Sequence, residues 1–552
     1  MGIMRGYVGP TERGTNACKP LKTLEKNEVI WYNICKQIHE FRRKTLQVMK
    51  MYRHEDYDQL KMDMPFGVTL RENNRWVILS KKFPWEEIDR EYQEHFKSRE
   101  GQVAIPSRLA FGALYIQAEE GYTDEQTRRN IQENPYLQYF CGFECYTMDS
   151  PFDASMMTHF RKRISPEMIQ RINDLVFAPE AVADMDNPEE DEGEDLADQE
   201  DSDEPATSHP TEEAAENRGT LILDATCCPA DIHYPTDVGL LNHARELVEK
   251  MIDLLHPAAR DLYPEKPRTY RRQARKKYLA YIKKRTHTVR ETRMMLRGNL
   301  QYIQRDIGYI EKMVAHGASL SLLGDDLYRK LLVIQELCRQ QWDMYVRKSH
   351  QMEDRIVSID QPHIRPIVRG KAGCPVEFGA KVIVGLVGGY AFLLKADWNN
   401  YSESKSLKQT IEEYKATFGF YPKTILADRA YPGRENRLWC TSLGIRLSGP
   451  RLGRKSVEEK QAESKQIYQD GCDRVVIEGT FGVVKRRYSL DRVMTRLPDT
   501  SMTSIAMGFF AANMERKLRL FFAPECGWAL DYDFDLGELV IFPRFPDVTA
   551  IQ

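Results

Sequence analysis

Two strongly apolar segments each carry a single carboxylate, and this limits the possible folds more than any other feature. Asp224 stands among Leu221, Ile222, Leu223 and Ala225, and Asp428 closes the run Thr424, Ile425, Leu426, Ala427. Short apolar runs of this kind read as buried strands. A carboxylate placed there is costly unless a cation or hydrogen bonds compensate for it. A third, Glu478, lies between apolar residues in CDRVVIEGTFGVVKRRY, which reads as a helix. Oxygen ligands from a few carboxylates suit Mg²⁺, and two such ions can drive an in-line displacement at phosphorus.

Taken singly, each acid has an ordinary alternative. Asp224 can cap a turn, Asp428 can pair with Arg429, and Glu478 can pair with Arg474 or Lys485. Their order along the chain favours a common site. The strand bearing Asp224 comes first, and EFGAKVIVGLV and YAFLLKADW follow as a hairpin joined at Gly388-Gly389. SKSLKQTIEEYKATFG is an amphipathic helix, and PKTILADRAY is the second carboxylate strand. Then come a helix near 433–443, a short strand IRLSG, and helices over 456–470 and 473–486. Asp231, Asp237 and Asp360 are rival carboxylates with less apolar flanks.

Charge is divided unevenly. The net charge of the 552 residues is −3, yet residues 184–213 hold 15 acidic side chains and no Lys or Arg. Without those 15 negative charges the remainder stands at +12, which suits a polyanion partner. Residues 266–297 carry thirteen Lys or Arg against Glu291 alone. That density points to phosphate-backbone contact, with Arg271, Arg272, Arg275, Lys276 and Lys277 as its centre. The eleven cysteines are scattered without zinc-ligand spacing and read as reduced thiols. No G-x-S-x-G, phosphate-cradling glycine loop or H-E-x-x-H occurs. No apolar run approaches the roughly 20 residues that span a bilayer, and the amino terminus lacks a signal-peptide core, so no membrane association is expected.

The organisation expected is multidomain. Residues 1–100 have no assigned role, although VIWYNICKQIHEFRRKTLQVMKMY is patterned as a helix. Residues 101–179 form short helices, the last ending in Arg161, Lys162 and Arg163. This is either a helix-turn-helix-like DNA reader or a plain bundle with cations at a helix end. Residues 180–217 are an acidic linker, or alternatively a DNA mimic. An α/β catalytic domain begins at 218–237, is interrupted by a basic helical insertion over 238–355, and resumes over 356–520. Residues 521–552 are a tail.

LILDAT, ILADRAY and the spaced Arg474, Glu478 and Lys485 resemble the DDE transposases of bacterial insertion sequences. ENPYLQYFCGF, PFDASMMTHFRKR, DATCCPADIHYPTDVGLLNHARE and RPIVRGKAGCPVEFGAKV resemble family segments as well. The resemblance covers about 100–180 and 219–520. One departure is Gly471, where the family's Tyr-Arg-Glu-Lys signature has tyrosine. Tyr468 lies nearby.

The resemblance implies a ribonuclease H-like catalytic domain with a long α-helical insertion, preceded by an α-helical DNA-binding domain. It implies that Asp224, Asp428 and Glu478 hold two Mg²⁺ (or Mn²⁺), that Arg474 and Lys485 contact end phosphates, and that Arg429 and Tyr431 support the strand end. It further implies double-stranded transposon-end and target DNA as partners, a homodimer on DNA, and a bacterial cytoplasmic, nucleoid-associated protein. Competing readings are a transposase-derived DNA-binding protein without catalysis and a nuclease without strand transfer.

Overall fold

The computed structural model describes residues 50–51, 69–96, 102–186, 216–368, 376–450, 453, 456–526, 528–533 and 538–543. The segment 29–49 that is patterned as a helix and the acidic stretch 187–215 lie outside them. Two compact units are present: Met1–His54 with Phe96–Ala104, and Glu55–His95 with Ile105–Gln552. In the first, Lys50–Met51 pairs in parallel with Gln102–Val103. The following description concerns the second.

Its centre is one mixed sheet of six strands: β1 (Arg218–Pro229), β2 (Arg365–Val368), β3 (Val376–Val387), β4 (Tyr390–Asp397), β5 (Pro422–Ala427) and β6 (Arg446–Leu447). β1 lies in the middle, antiparallel to β3 and parallel to β5, and β5 is parallel to β6. β2 and β4 share the far edge of β3, both antiparallel to it. The hairpin between β3 and β4 turns at Gly388 and Gly389, with φ of 54° and 73°. Two successive positive φ values are what a tight two-residue hairpin needs and what side chains resist. Leu221, Leu223 and Cys227 alternate along β1 as fully buried residues, and β3 is buried from Ala380 to Val387 apart from the half-buried Lys381.

Among the described residues seven helices precede the sheet: α1 (Arg75–Lys82), α2 (Trp85–Gln93), α3 (Ser107–Glu120), α4 (Asp124–Glu133), α5 (Pro135–Phe140), α6 (Met156–Arg163) and α7 (Pro166–Asp186). Their ends follow local chemistry. Gly121 closes α3 in the left-handed region, Thr123 and Gln126 form a capping box on α4, and Pro135 opens α5.

Between β1 and β2 lies the insertion: α8 (Asp237–Leu255), α9 (Arg271–Ile282), α10 (Val289–Ala315) and α11 (Gly324–Arg347). It has a core of its own, including Leu241, Val248, Leu300, Ile303, Ile334 and Leu337. Its entrance and exit are tied together, because Asp237 Oδ1 accepts from Arg355 Nη2 at 2.6 Å and from Gln341 Nε2 at 2.8 Å.

The remaining helices are α12 (Glu403–Phe418), α13 (Arg434–Ser442), α14 (Val457–Arg487) and α15 (Pro498–Cys526). The two helices expected over 456–470 and 473–486 are one helix, α14. Gly471 does not break it, since an interior glycine costs only about 1 kcal/mol. Within the segment read as a tail, α15 continues to Cys526, and Trp528–Asp533 pairs antiparallel with Glu538–Pro543.

α15 joins the helical layer to the sheet. Phe510 packs edge-on against Phe83, Phe111 and Phe177. Asn513 Nδ2 donates to Asn173 Oδ1 and to the Ala391 carbonyl, while its Oδ1 accepts the Ala391 N–H at 2.8 Å. One side chain thus ties α15, α7 and β4. Cys141, Cys227, Cys228, Cys338 and Cys440 are buried. Among the described residues no helix is long and apolar enough to cross a membrane.

Asn513→Ala removes these bonds and leaves buried polar groups unpaired, so the expected loss of unfolding free energy is about 2–3 kcal/mol, measured by urea denaturation.

Candidate active site

The parallel register of β1 and β5 pairs Leu223 with Ala427. The next residues along the two strands are Asp224 and Asp428, and parallel pairing brings both carboxylates to one level of one face. α14 packs across β1 and β5. It buries Asp470, Ile477, Phe481 and Val484 at helical spacing, and Arg474 and Glu478 flank that stripe one turn apart.

One guanidinium meets all three acids. Arg474 Nη1 lies 3.8 Å from Asp224 Oδ2 and 3.6 Å from Asp428 Oδ1, and its Nη2 lies 3.9 Å from Glu478 Oε1. These separations are ion-pair contacts, longer than hydrogen bonds. Exposure grades across the group, at 18% for the Asp224 side chain, 46% for Asp428 and 60% for Glu478.

Burial pushes the Asp224 carboxyl up to about 6. The Ala225 N–H, donating to its Oδ1 at 2.8 Å, and the Arg474 charge pull it down, while Asp428 and Glu403 push it up. Burial is thus the main reason that this carboxyl sits high.

The structure adds Glu403 and Lys381, which the sequence did not single out, and places Tyr431, which it did. Glu403, at the start of α12, pairs with Lys381 of β3 at 2.8 Å. The Lys381 carbonyl accepts from the Tyr401 hydroxyl at 3.2 Å. Tyr431 is fully buried, and its hydroxyl has no hydrogen-bond partner among the described residues. Burial, then Glu403 and Asp224, raise that phenol far above its ordinary range. Tyr431 follows Asp428 closely enough to be noticed in sequence, whereas Glu403 and Lys381 carry no local signal.

The rival carboxylates are engaged elsewhere. Asp360 pairs with Lys330 at 2.8 Å, Asp231 with Arg492, and Asp237 with Arg355.

The expected DNA contacts divide. Arg161 is a correction: it is 5% exposed and turned inward, bound to Asp124 and to Gln117 Oε1, so a cation at a helix end here serves the fold. Arg271 is also occupied, gripping both oxygens of Asp253 at 2.9 and 2.8 Å, and Arg163 reaches toward the Tyr92 hydroxyl. Lys162, Arg429, Arg272, Arg275, Lys276 and Lys277 are exposed, and Lys485 is half-buried two turns beyond Glu478. The basic face continues onto α10, where Arg290, Arg293 and Arg297 line a cavity with Val289, Met294 and Tyr345. Among the described residues no cluster of three or more His, Cys, Asp or Glu forms a ready metal cage.

A raised folded-state value means that Asp224 contributes its stability below the ordinary carboxylate range and loses it as pH rises through about 6. In chelator, Asp224→Asn is expected to unfold at a higher denaturant midpoint than wild type at pH 8. The gain, on the order of 1–3 kcal/mol, shrinks as pH falls toward 4.

Comparison with known proteins finds transposase domains on both sides of the insertion. A transposase DDE domain model matches residues 425–515, a span that includes Asp428, Arg474, Glu478 and Lys485. A transposase domain model, DUF772, matches residues 66–163, which hold α1 to α6. An uncharacterized protein of Rhizobium meliloti, ORF8 in the nfe locus, is 35% identical over 96 residues, 17% of this chain and 46% of that protein. The chain thus spans about half the length of that relative. No solved structure matches. On either side of the insertion, then, the chain is similar to transposase domains, the later one of DDE type.

Proposed function

We propose that the protein binds the terminal inverted repeats of its own element and catalyses strand cleavage and strand transfer. The observation that carries this reading is the convergence of Asp224, Asp428 and Glu478 on one guanidinium, from a central strand, the end of its parallel neighbour and a helix crossing both. Numbered by their order in the catalytic domain, with β2 set aside, the strands lie in the order 3-2-1-4-5, the second antiparallel to the rest. That order supports a ribonuclease H-like reading of the domain.

The residues fit a hard divalent cation. The donor set is oxygen alone, and one guanidinium faces three carboxylates, which leaves the group net negative. Asp224, Asp428 and Glu478 would hold two Mg²⁺, with Mn²⁺ as substitute. Such a pair supplies activation of the attacking oxygen and stabilisation of the leaving one. The chain's own contribution is positioning: Ala225 fixes the buried Asp224 carboxylate, while the more open Asp428 and Glu478 face the substrate side. Lys485 and Arg429 would meet phosphates near the site, with Lys162 as a further phosphate contact. The exposed cations of α9 and α10 would track the backbone of the same duplex further out. Two DNA ends brought together call for a homodimer on DNA, acting at the bacterial nucleoid.

A non-catalytic DNA-binding reading draws on Arg474, which fills the space between the acids. A labelled transposon-end duplex incubated with Mg²⁺ or Mn²⁺ separates the two. Metal-dependent nicking is expected for wild type and is expected to vanish in Asp224→Asn, Asp428→Asn and Glu478→Gln, each still binding the end. Binding without any metal-dependent product favours the second reading, and joining of pre-cut ends to target DNA separates a transposase from a simple nuclease.

For the insertion, replacing Arg272, Lys276 and Arg290 by Gln is expected to flatten the dependence of log affinity on log salt by about 0.9 for each DNA phosphate that is no longer neutralised. Arg161→Gln is expected to lower stability and leave that slope unchanged.

A further inference from the structure

Arg474 is held differently from its neighbour on the same helix. One turn earlier, Asp470 is buried and receives Arg446 through two hydrogen bonds of 3.0 and 2.9 Å, a locked fork-to-carboxylate pair. Arg474 lies 3.6, 3.8 and 3.9 Å from three different acids. None of these is a hydrogen bond, so the guanidinium is held by charge without a fixed docking geometry. Among the described residues Asp224, Asp428 and Glu478 have no other cationic partner. Arg474 thus stands where any other cation entering this group would have to come.

We propose that Arg474 is an exchangeable internal counter-ion. It holds the three carboxylates together while no divalent ion is present, and it leaves them when one enters. The proposal rests on the reading of these acids as the metal-holding group.

Two physical points carry it. Three carboxylates and one guanidinium leave the group net negative, which draws a dication in. A dication sharing the same oxygens would face the guanidinium at a few ångströms, where like charges in a partly buried site repel strongly. The two occupants therefore compete, and a long arginine stem with no hydrogen bond to break can swing aside. A substrate phosphate then offers the displaced guanidinium a better partner than water. Metal loading and phosphate binding become linked through one side chain, and by linkage each favours the other. Arg474 acts here as a positioning residue, through the carboxylates it gathers and releases.

The test reads metal binding alone. Mn²⁺ is titrated into the full-length, DNA-free protein by electron paramagnetic resonance and calorimetry. Arg474→Ala and Arg474→Gln are expected to bind Mn²⁺ about tenfold more tightly than wild type. Arg474→Lys, which keeps a cation, is expected to stay near wild type. Equal or weaker binding in both neutral variants overturns the proposal, because it means that Arg474 organises the acids without competing. If one neutral variant fails to fold, as judged by thermal unfolding, the other decides. Asp224→Asn in wild-type and Arg474→Gln backgrounds tests the underlying reading separately. Mn²⁺ binding that ignores this change places the metal elsewhere and removes the basis for both.

Discussion

The register between β1 and β5 is the constraint on which the site depends. Side chains alternate along a strand, so a slip of one residue would turn Asp224 to the opposite face of the sheet. β1 cannot slip freely, because it is paired on both edges, with Ile222 opposite Leu386 on one side and Leu426 on the other. The alternation of Leu221, Leu223 and Cys227 into the core fixes the same register by burial. The two aspartates inherit their level from this apolar pattern.

Glu478 is set by a second, electrostatic constraint at the end of α14. Arg487 Nη2 pairs with Glu119 at 2.9 Å, and Arg75 reaches the same carboxylate, whose side chain is wholly buried. Glu515 of α15 joins both guanidiniums. Burial raises the Glu119 carboxyl, and the two arginines pull it back. Removing one member of such a group leaves a buried charge uncompensated, which is why it fixes geometry strongly even where its net contribution to stability is modest. The first half of α14 is mostly exposed up to Asp470. The helix is therefore anchored from its carboxyl end, and Glu478 lies inside the anchored half.

What the sequence made legible follows from what is local. Asp224 and Asp428 stood out because their flanks are apolar over a strand's length, and the Gly388-Gly389 turn because two positive φ values demand glycine. Where contacts come from afar, sequence was silent. Glu403 and Lys381 enter the site only through the β1–β3 pairing and the start of α12. Arg161 misled for the same reason: three cations at a helix end look solvent-facing until Asp124 and Gln117, from other elements, meet one of them. The two helices read over 456–470 and 473–486 are one, because a capped 31-residue helix absorbs Gly471 as it does Gly479 and Gly482. The basic segment was legible in charge yet not in detail, since Arg271 turns to Asp253 while Arg290 and Arg297 on the next helix continue the face.

The insertion interrupts two antiparallel strands at the place where a hairpin turn would normally join them, since Pro229 at the end of β1 faces Gly379 near the start of β3. Closing so long a loop is entropically unfavourable until its own core forms. Once the insertion has folded, the Asp237–Arg355 pair brings its two ends together, and the strands see a short connection. The order of folding is thereby biased: the helical module first, the sheet second. A segment that closes on itself in this way can also be lengthened, shortened or exchanged over generations without disturbing the strands on either side. The part proposed to meet DNA is thus free to diversify while the carboxylate-bearing sheet stays fixed.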